Sequence, residues 1–157
     1  EIMPSLVGSE MCIRDSLLVV TILLIVCMCT PVGAYIAEDY SVSKFTNLCI
    51  VSADGVKDYA PWAMFVILVV AALLSFTTIF MFKKRMLQIR MTIFSTILLV
   101  GYYATLITFI FMLKDDSMTF SASWTLCLPF VAIILNWLAI RAIGKDEVLV
   151  KAYDRLR

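Results

Sequence analysis

Four long apolar runs dominate this chain, and they restrict its fold more than any other feature. They cover residues 17–37, 61–82, 91–113 and 124–143, and none of them contains an acidic residue. A bilayer core about 30 Å thick needs roughly 20 apolar residues in helical form. Because hydrocarbon offers the backbone no hydrogen-bond partners, each run should satisfy its own backbone groups as an α-helix. The pattern predicts an all-α fold, a bundle of four transmembrane helices.

The composition indicates burial in lipid rather than in a water-soluble core. Apolar residues make up 62% of the chain and charged residues 16%, against roughly 45–50% and about 25% in soluble domains. A soluble domain of 157 residues has too little interior to hide that much apolar surface. The lipid bilayer is therefore the first partner that we expect.

The first sixteen residues differ in composition from everything that follows them. Residues 1–16 read EIMPSLVGSEMCIRDS, and the run from Pro4 to Ser16 resembles the translation of a sequencing adaptor. We therefore expect residues 1–16 to be an artefactual segment and exclude them from the fold prediction. A natural polar N-terminal tail is the alternative.

The first apolar run has a second interpretation. It ends in Val32-Gly33-Ala34, a pattern similar to a signal-peptide cleavage site, and cleavage would leave three spans. We predict that the run is retained. Pro31 lies inside the first run and Pro129 inside the fourth. Each is expected to remove one helix hydrogen bond and to kink its helix.

Basic residues are distributed unevenly around the four runs. Nine Lys and Arg lie after the second run or at and beyond the end of the fourth, whereas the other two loops hold three. The positive-inside rule therefore predicts that both termini are cytoplasmic. Basic residues at this level also suit anionic lipid headgroups. We assign this topology and headgroup role to Lys83, Lys84, Arg85, Arg90, Arg141 and Lys145.

Small and polar side chains inside the runs are candidates for helix packing. Asn136 is the strongest polar group at depth, and with Ala132 and Ala139 it forms one face of the fourth run. Ala71 and Ser75 form a small-xxx-small pair on the second run. Such faces let helices approach closely and hydrogen-bond across the interface. We predict packing for all five residues, with a ligand contact as the alternative for Asn136.

The third run is rich in hydroxyl groups, and Thr105 and Tyr102 stand at a depth similar to that of Asn136. We expect one of them to hydrogen-bond the Asn136 amide, since an unpaired amide in hydrocarbon is costly. Packing is the predicted role of these hydroxyls. A polar pore or a lining for lipid headgroups is the alternative.

No motif in the sequence predicts catalysis. The chain has no histidine, which excludes imidazole metal sites and histidine general bases. The nucleophile, zinc-protease and phosphate-loop motifs are absent. We therefore expect no enzyme, no catalytic residue, no cofactor, no metal and no nucleic-acid partner. The cysteines do not follow a zinc or disulfide pattern, although a Cys49–Cys127 disulfide stays open.

Residues 144–157 form a charged, helix-forming tail, which we expect in the cytoplasm. Glu147 and Lys151 make an i,i+4 pair in the favourable order. Three apolar side chains share one face of such a helix, which suits a membrane surface or a partner protein; they are Leu149, Tyr153 and Leu156.

Two blocks of the sequence resemble a known family. The first block is FMFKKRMLQIR at residues 80–90, and the second comprises LAIRAI at 138–143, KDEVLV at 145–150 and DRLR at 154–157. Together they resemble a bacterial family of four-span membrane proteins classed as a domain of unknown function, over about residues 17–157. The resemblance implies a bacterial inner-membrane protein and brings no activity with it.

The functional expectation is correspondingly coarse. We expect a non-enzymatic structural or accessory protein, an assembly partner that is recognised through its tail. A subunit of a small oligomeric transporter or channel is the alternative. The partners expected besides lipid are a second copy of this chain or another membrane protein.

Overall fold

The computed structural model describes residues 2–81, 83–113 and 118–156, and the side chains among them from residue 11 onward except that of residue 85. Phe82, at the end of the predicted second span, lies outside the described residues. So do Lys114 and Arg157, which entered the count of basic residues, and the side chain of Arg85.

Four α-helices form the body of the protein. They are α1 (Ile2–Cys29), α2 (Trp62–Phe80), α3 (Arg85–Leu113) and α4 (Cys127–Arg155). All four are long and apolar enough to cross a membrane, which confirms that part of the prediction. Each helix packs mainly on its two neighbours in the cyclic order α1, α2, α3, α4. Large apolar side chains cover the outside of the bundle, as a lipid-facing surface requires.

The prediction of an all-α fold was wrong, because both connections at one end of the bundle contribute to a β-sheet. The strands are β1 (Gly33–Ala37), β2 (Val42–Phe45), β3 (Ile50–Val51), β4 (Lys57–Asp58) and β5 (Met118–Ala122). They pair antiparallel in the order β4-β3-β2-β1-β5. We call this the sheet end of the bundle. The opposite end, which contains the α2–α3 turn with Lys83 and Lys84, is called the basic end.

The predicted first span, residues 17–37, extends too far, because α1 ends at Cys29 and residues 33–37 form a strand. Pro31 explains the early end. The N–H of residue 31 would bond the carbonyl of residue 27, so a proline there leaves that carbonyl without its helical donor. Asn47, between β2 and β3, replaces the donor, and its Nδ2 lies 2.7 Å from the Cys27 oxygen. Pro31 therefore ends the helix instead of kinking it.

Pro129 also costs no helix hydrogen bond, contrary to the prediction. It is the third residue of α4, which begins at Cys127 after a 3-10 turn at Trp124–Leu126. The first four N–H groups of a helix have no partner inside the helix. A proline in that turn removes a donor that α4 does not use.

The sheet closes one end of the bundle through an aromatic cluster. The rings of Tyr35, Phe45 and Phe120 pack pairwise with centroids 5.0 to 6.4 Å apart. Gly33 leaves room for this cluster, since a Cβ on it would stand 2.7 Å from Phe120 Cζ and 2.8 Å from the Ser121 carbonyl oxygen. Tyr35 and Phe45 belong to the same buried cluster as the apolar side chains at this end of the helices.

A second, smaller apolar cluster lies toward the basic end. It contains Ile13, Leu17 and Ile143. Ile13 belongs to the stretch that we excluded from the fold prediction, and the helix α1 continues through that stretch as far back as Ile2. The artefactual origin of residues 1–16 stays a prediction.

Candidate functional site

A layer of polar side chains separates the two apolar clusters on three of the helices. On α2, α3 and α4 alike, the buried residues between the two clusters include polar ones. We call these the polar layer; its members are Ser75, Thr78, Thr92, Ser95 and Asn136. One pair of hydroxyls joins two helices, because Ser75 Oγ lies 3.4 Å from Ser95 Oγ.

The other two hydroxyls of the polar layer bond within their own helices. Thr78 donates to the carbonyl of Leu74, and Thr92 donates to the carbonyl of Gln88. Such back-bonds satisfy the side chain without a partner on another helix. Asn136 is therefore the member of the polar layer whose hydrogen-bond partners would have to come from outside its own helix.

Asn136 is fully buried, at 0% exposure, yet neither its Nδ2 nor its Oδ1 has a hydrogen-bond partner among the described residues. The predicted hydroxyl partners were wrong. Thr105 is half-buried and donates to the Gly101 carbonyl of its own helix. The Tyr102 hydroxyl donates to Asn47 instead. A buried amide without a partner is costly, which makes Asn136 available to a ligand or to water.

The five residues assigned to packing all lie in the interior. Each is at most 3% exposed, as the contact of one helix with another requires. They come from two helices that are not neighbours in the cyclic order; the residues are Ala71 and Ser75 on α2, and Ala132, Asn136 and Ala139 on α4.

A basic groove opens at the basic end of the bundle, between the α2–α3 turn and α4. Its volume is about 670 Å³. Three cations and two apolar side chains come from the turn and the first residues of α3, and one carboxylate comes from α4; the lining residues are Lys83, Lys84, Met86, Leu87, Arg90 and Glu147.

The tight turn between α2 and α3 brings the cations together. The N–H of Met81 bonds the carbonyl of Thr78, and the N–H of Lys84 bonds the carbonyl of Met81. The chain therefore reverses within a few residues after α2, which leaves Lys83 and Lys84 exposed at the turn. Arg90 lies one turn after Met86 on the same face of α3.

The carboxylate of the groove already has a cationic partner. Glu147 Oε1 lies 3.0 Å from Lys151 Nζ, which confirms the predicted i,i+4 pair. Glu147 therefore offsets little of the positive charge that the three cations bring to the groove.

The six residues assigned to topology and headgroups do not form one site. Lys83, Lys84 and Arg90 line the basic groove, whereas Arg141 and Lys145 are exposed elsewhere on α4. The Arg141 guanidinium stacks over the Trp137 ring, 5.6 Å from its centroid. Arg85 begins α3 beside the groove.

Beyond the basic groove, α4 continues as a projecting tail. We give this name to residues 148–156, every one of which is exposed. The predicted apolar face consists of Leu149, Tyr153 and Leu156, with 58%, 63% and 89% exposure. The helix is continuous from the bundle into this segment, so the tail leaves along the direction of α4.

Sequence reasoning missed the second buried asparagine. Asn47 is 0% exposed, donates to the Cys27 carbonyl and accepts from the Tyr102 hydroxyl at 2.7 Å. The available signal was Pro31, whose missing N–H predicts an orphan carbonyl at Cys27. Burial of Gln88 and Asp146 at the basic end had no sequence signal.

Metal and disulfide chemistry have no visible site in the described part of the chain. Among those residues, no group of three or more His, Cys, Asp or Glu could hold a metal ion. The five cysteines all lie within it and are free thiols, so Cys49 and Cys127 form no disulfide.

Comparison with protein families supplies the identification. A family profile described as a domain of unknown function, DUF4293, matches residues 16–156. The chain belongs to the DUF4293 family. The basic groove, the polar layer and the sheet all lie within the DUF4293 match. A search of curated protein sequences found no match.

Proposed function

We propose that this chain is a non-enzymatic structural or accessory protein of the bacterial inner membrane, which binds an assembly partner through its projecting tail. One observation carries the proposal. Residues 148–155 continue α4 as a helix in which every residue is exposed, and α4 with its 29 residues is about 43 Å long at 1.5 Å per residue, whereas a bilayer core is only about 30 Å thick. The excess length is helical, exposed and apolar on one face.

The hydrocarbon core of the bilayer does not account for that face. Apolar side chains on the outside of the bundle have the bilayer as their solvent, but the tail residues follow Glu147, which stands beside the charged α2–α3 turn. An exposed helix with anchors at i, i+4 and i+7 is the shape that binds in an apolar groove on a partner protein. Leu149, Tyr153 and Leu156 are the anchors in this proposal.

The orientation that we propose puts both termini in the cytoplasm. Lys83, Lys84 and Arg90 lie with the projecting tail at the basic end, while Lys44 and Lys57 belong to the sheet. The positive-inside rule assigns the more basic end to the cytoplasm. Reporter fusions at Lys84 and Arg157 should score inside, and a fusion at Asp54 should score outside. An outside signal at Arg157 would contradict the orientation.

Crosslinking from native membranes tests the accessory role. The double variant Leu149→Ser/Tyr153→Ser should lose a crosslinked partner that the wild-type chain retains. The matched control is Asp154→Ser/Arg155→Ser, which changes two exposed positions on the other side of the helix and should retain the partner. Loss in both variants would argue against a specific apolar face. A tagged second copy distinguishes a homo-oligomer from a different protein.

Asn136 favours a second candidate, a subunit of a small oligomeric transporter. Its buried amide has no hydrogen-bond partner among the described residues, and it lies in the same polar layer as the Ser75 and Ser95 hydroxyls. Buried polar groups inside membrane bundles often mark a substrate path. The test is a solute-uptake phenotype in cells, with Thr105→Val as the control. If Asn136→Leu keeps the protein folded but abolishes uptake, and Thr105→Val retains uptake, the transporter becomes the better proposal.

A further inference from the structure

We infer that the basic groove binds one anionic phospholipid, with the phosphate at Lys83, Lys84 and Arg90 and the first part of an acyl chain against Met86 and Leu87. This site is separate from the projecting tail and does not depend on the proposed accessory role. The ligand class follows from the mixture of side chains, from the depth of the groove and from its charge.

The lining is amphipathic in the way that a phospholipid is. Three cations face the same space as two apolar side chains, and Met86 is 54% exposed. Lys and Arg are the usual ligands of phosphate oxygens. A soluble phosphate compound would leave Met86 and Leu87 facing water, whereas a lipid covers them.

The groove also lies at the depth of a headgroup. The helix α2 has 19 residues, about 28 Å long, which matches a hydrocarbon core of about 30 Å. With the sheet end of α2 at one boundary of the core, the turn that carries Lys83 and Lys84 falls at the other, where lipid phosphates lie. The volume of about 670 Å³ holds a headgroup and part of a chain, not a whole lipid.

The charge of the groove favours an anionic over a zwitterionic lipid. Glu147 is its one carboxylate among the lining residues, and Lys151 already pairs with it. The three cations keep an excess of positive charge, and a choline headgroup would bring a further cation into that space. Phosphatidylglycerol adds none.

Native mass spectrometry of the purified full chain tests the inference, with phosphatidylglycerol and phosphatidylcholine titrated separately. Phosphatidylglycerol should bind at one saturable site and about tenfold more tightly than phosphatidylcholine. The variant Lys83→Gln/Lys84→Gln/Arg90→Gln should weaken phosphatidylglycerol binding about tenfold or more. The control Lys44→Gln/Lys57→Gln/Arg155→Gln removes the same charge from exposed positions outside the groove and should leave the affinity within about threefold.

Glu147→Gln gives a readout that misfolding cannot imitate. It breaks the ion pair with Lys151, so the net charge beside the groove rises by one, and phosphatidylglycerol should bind about threefold more tightly. Leu149→Ser/Tyr153→Ser should leave lipid binding unchanged, which separates this site from the accessory role.

Four results would overturn the inference. The first two are an equal loss of phosphatidylglycerol affinity in the groove variant and its control, and no loss of affinity in the groove variant. The third is an unchanged or weaker affinity in Glu147→Gln. The fourth is full displacement of the lipid by inorganic phosphate at equal concentration.

Discussion

The sheet end and the polar layer each bury one asparagine completely, and the two asparagines are satisfied very differently. At the sheet end, Asn47 bonds the Cys27 carbonyl and the Tyr102 hydroxyl, both at 2.7 Å. In the polar layer, neither polar atom of Asn136 has a partner among the described residues. The two side chains are equally buried but should contribute to stability with opposite sign, since a buried polar group stabilises the fold only when it is hydrogen-bonded.

The difference shows what each region is built for. The Asn47 amide connects the end of α1, the β2–β3 turn and α3, so it holds the sheet on the bundle. Asn136 connects nothing that the structure describes, and the rest of its layer bonds locally or in the Ser75–Ser95 pair. We expect the sheet end to be a stability element and the polar layer to tolerate change.

The sharpest test of this comparison is Asn47→Leu. It leaves a buried carbonyl and a buried hydroxyl unpaired, each costing about 1–3 kcal/mol, so the free energy of unfolding should fall by about 3 kcal/mol. Titration with SDS in detergent micelles, followed by circular dichroism, measures this. A loss below about 1 kcal/mol would mean that the network holds little of the sheet end together.

Gly33→Ala should have the next largest effect, at about 2 kcal/mol. The added Cβ would meet the Phe120 ring and the Ser121 carbonyl, both closer than 3.0 Å. Near-ultraviolet circular dichroism should also report a change in the aromatic cluster. The control is Gly101→Ala on α3, where a Cβ meets nothing within 4 Å and where alanine favours the helix by up to about 1 kcal/mol. Equal losses at both glycines would refute the packing explanation.

Tyr102→Phe should cost about 1 kcal/mol, because it removes one hydrogen bond and leaves the Asn47 oxygen without a donor. A double-mutant cycle with Asn47→Leu should show a coupling of at least about 0.5 kcal/mol between the two positions. Strict additivity would mean that the 2.7 Å contact contributes nothing to stability.

Asn136→Leu should have the smallest effect and the opposite sign. It removes from the interior a polar group that no described residue pairs with, so the free energy of unfolding should stay constant or rise by about 1 kcal/mol. The substitution matches Asn47→Leu in chemistry and in burial, and the pair isolates the effect of hydrogen bonding. If both variants lose about 3 kcal/mol, Asn136 has a partner and the comparison fails.

The basic groove could be predicted only in part. The cations Lys83, Lys84 and Arg90 are visible as a basic cluster after an apolar run, and sequence reasoning assigned them to headgroups. That Glu147 faces them, and that Arg141 and Lys145 do not, depends on how α4 is rotated against the α2–α3 turn. No local sequence pattern predicts that rotation, because it is determined by how the side chains pack in the bundle interior.

The sequence by itself determined the four helices. Long apolar runs without acidic residues have to satisfy their backbone locally, and one run predicts its helix without reference to another. Only the tertiary structure decided the sheet. Tyr35 and Phe120 pair across the first and last connections of the bundle, and their strands are too short to be stable before the helices bring them together. The end of α1 depends on both the local sequence and the tertiary structure. Pro31 removes a hydrogen-bond donor locally, and Asn47 replaces that donor from a turn that is distant in sequence.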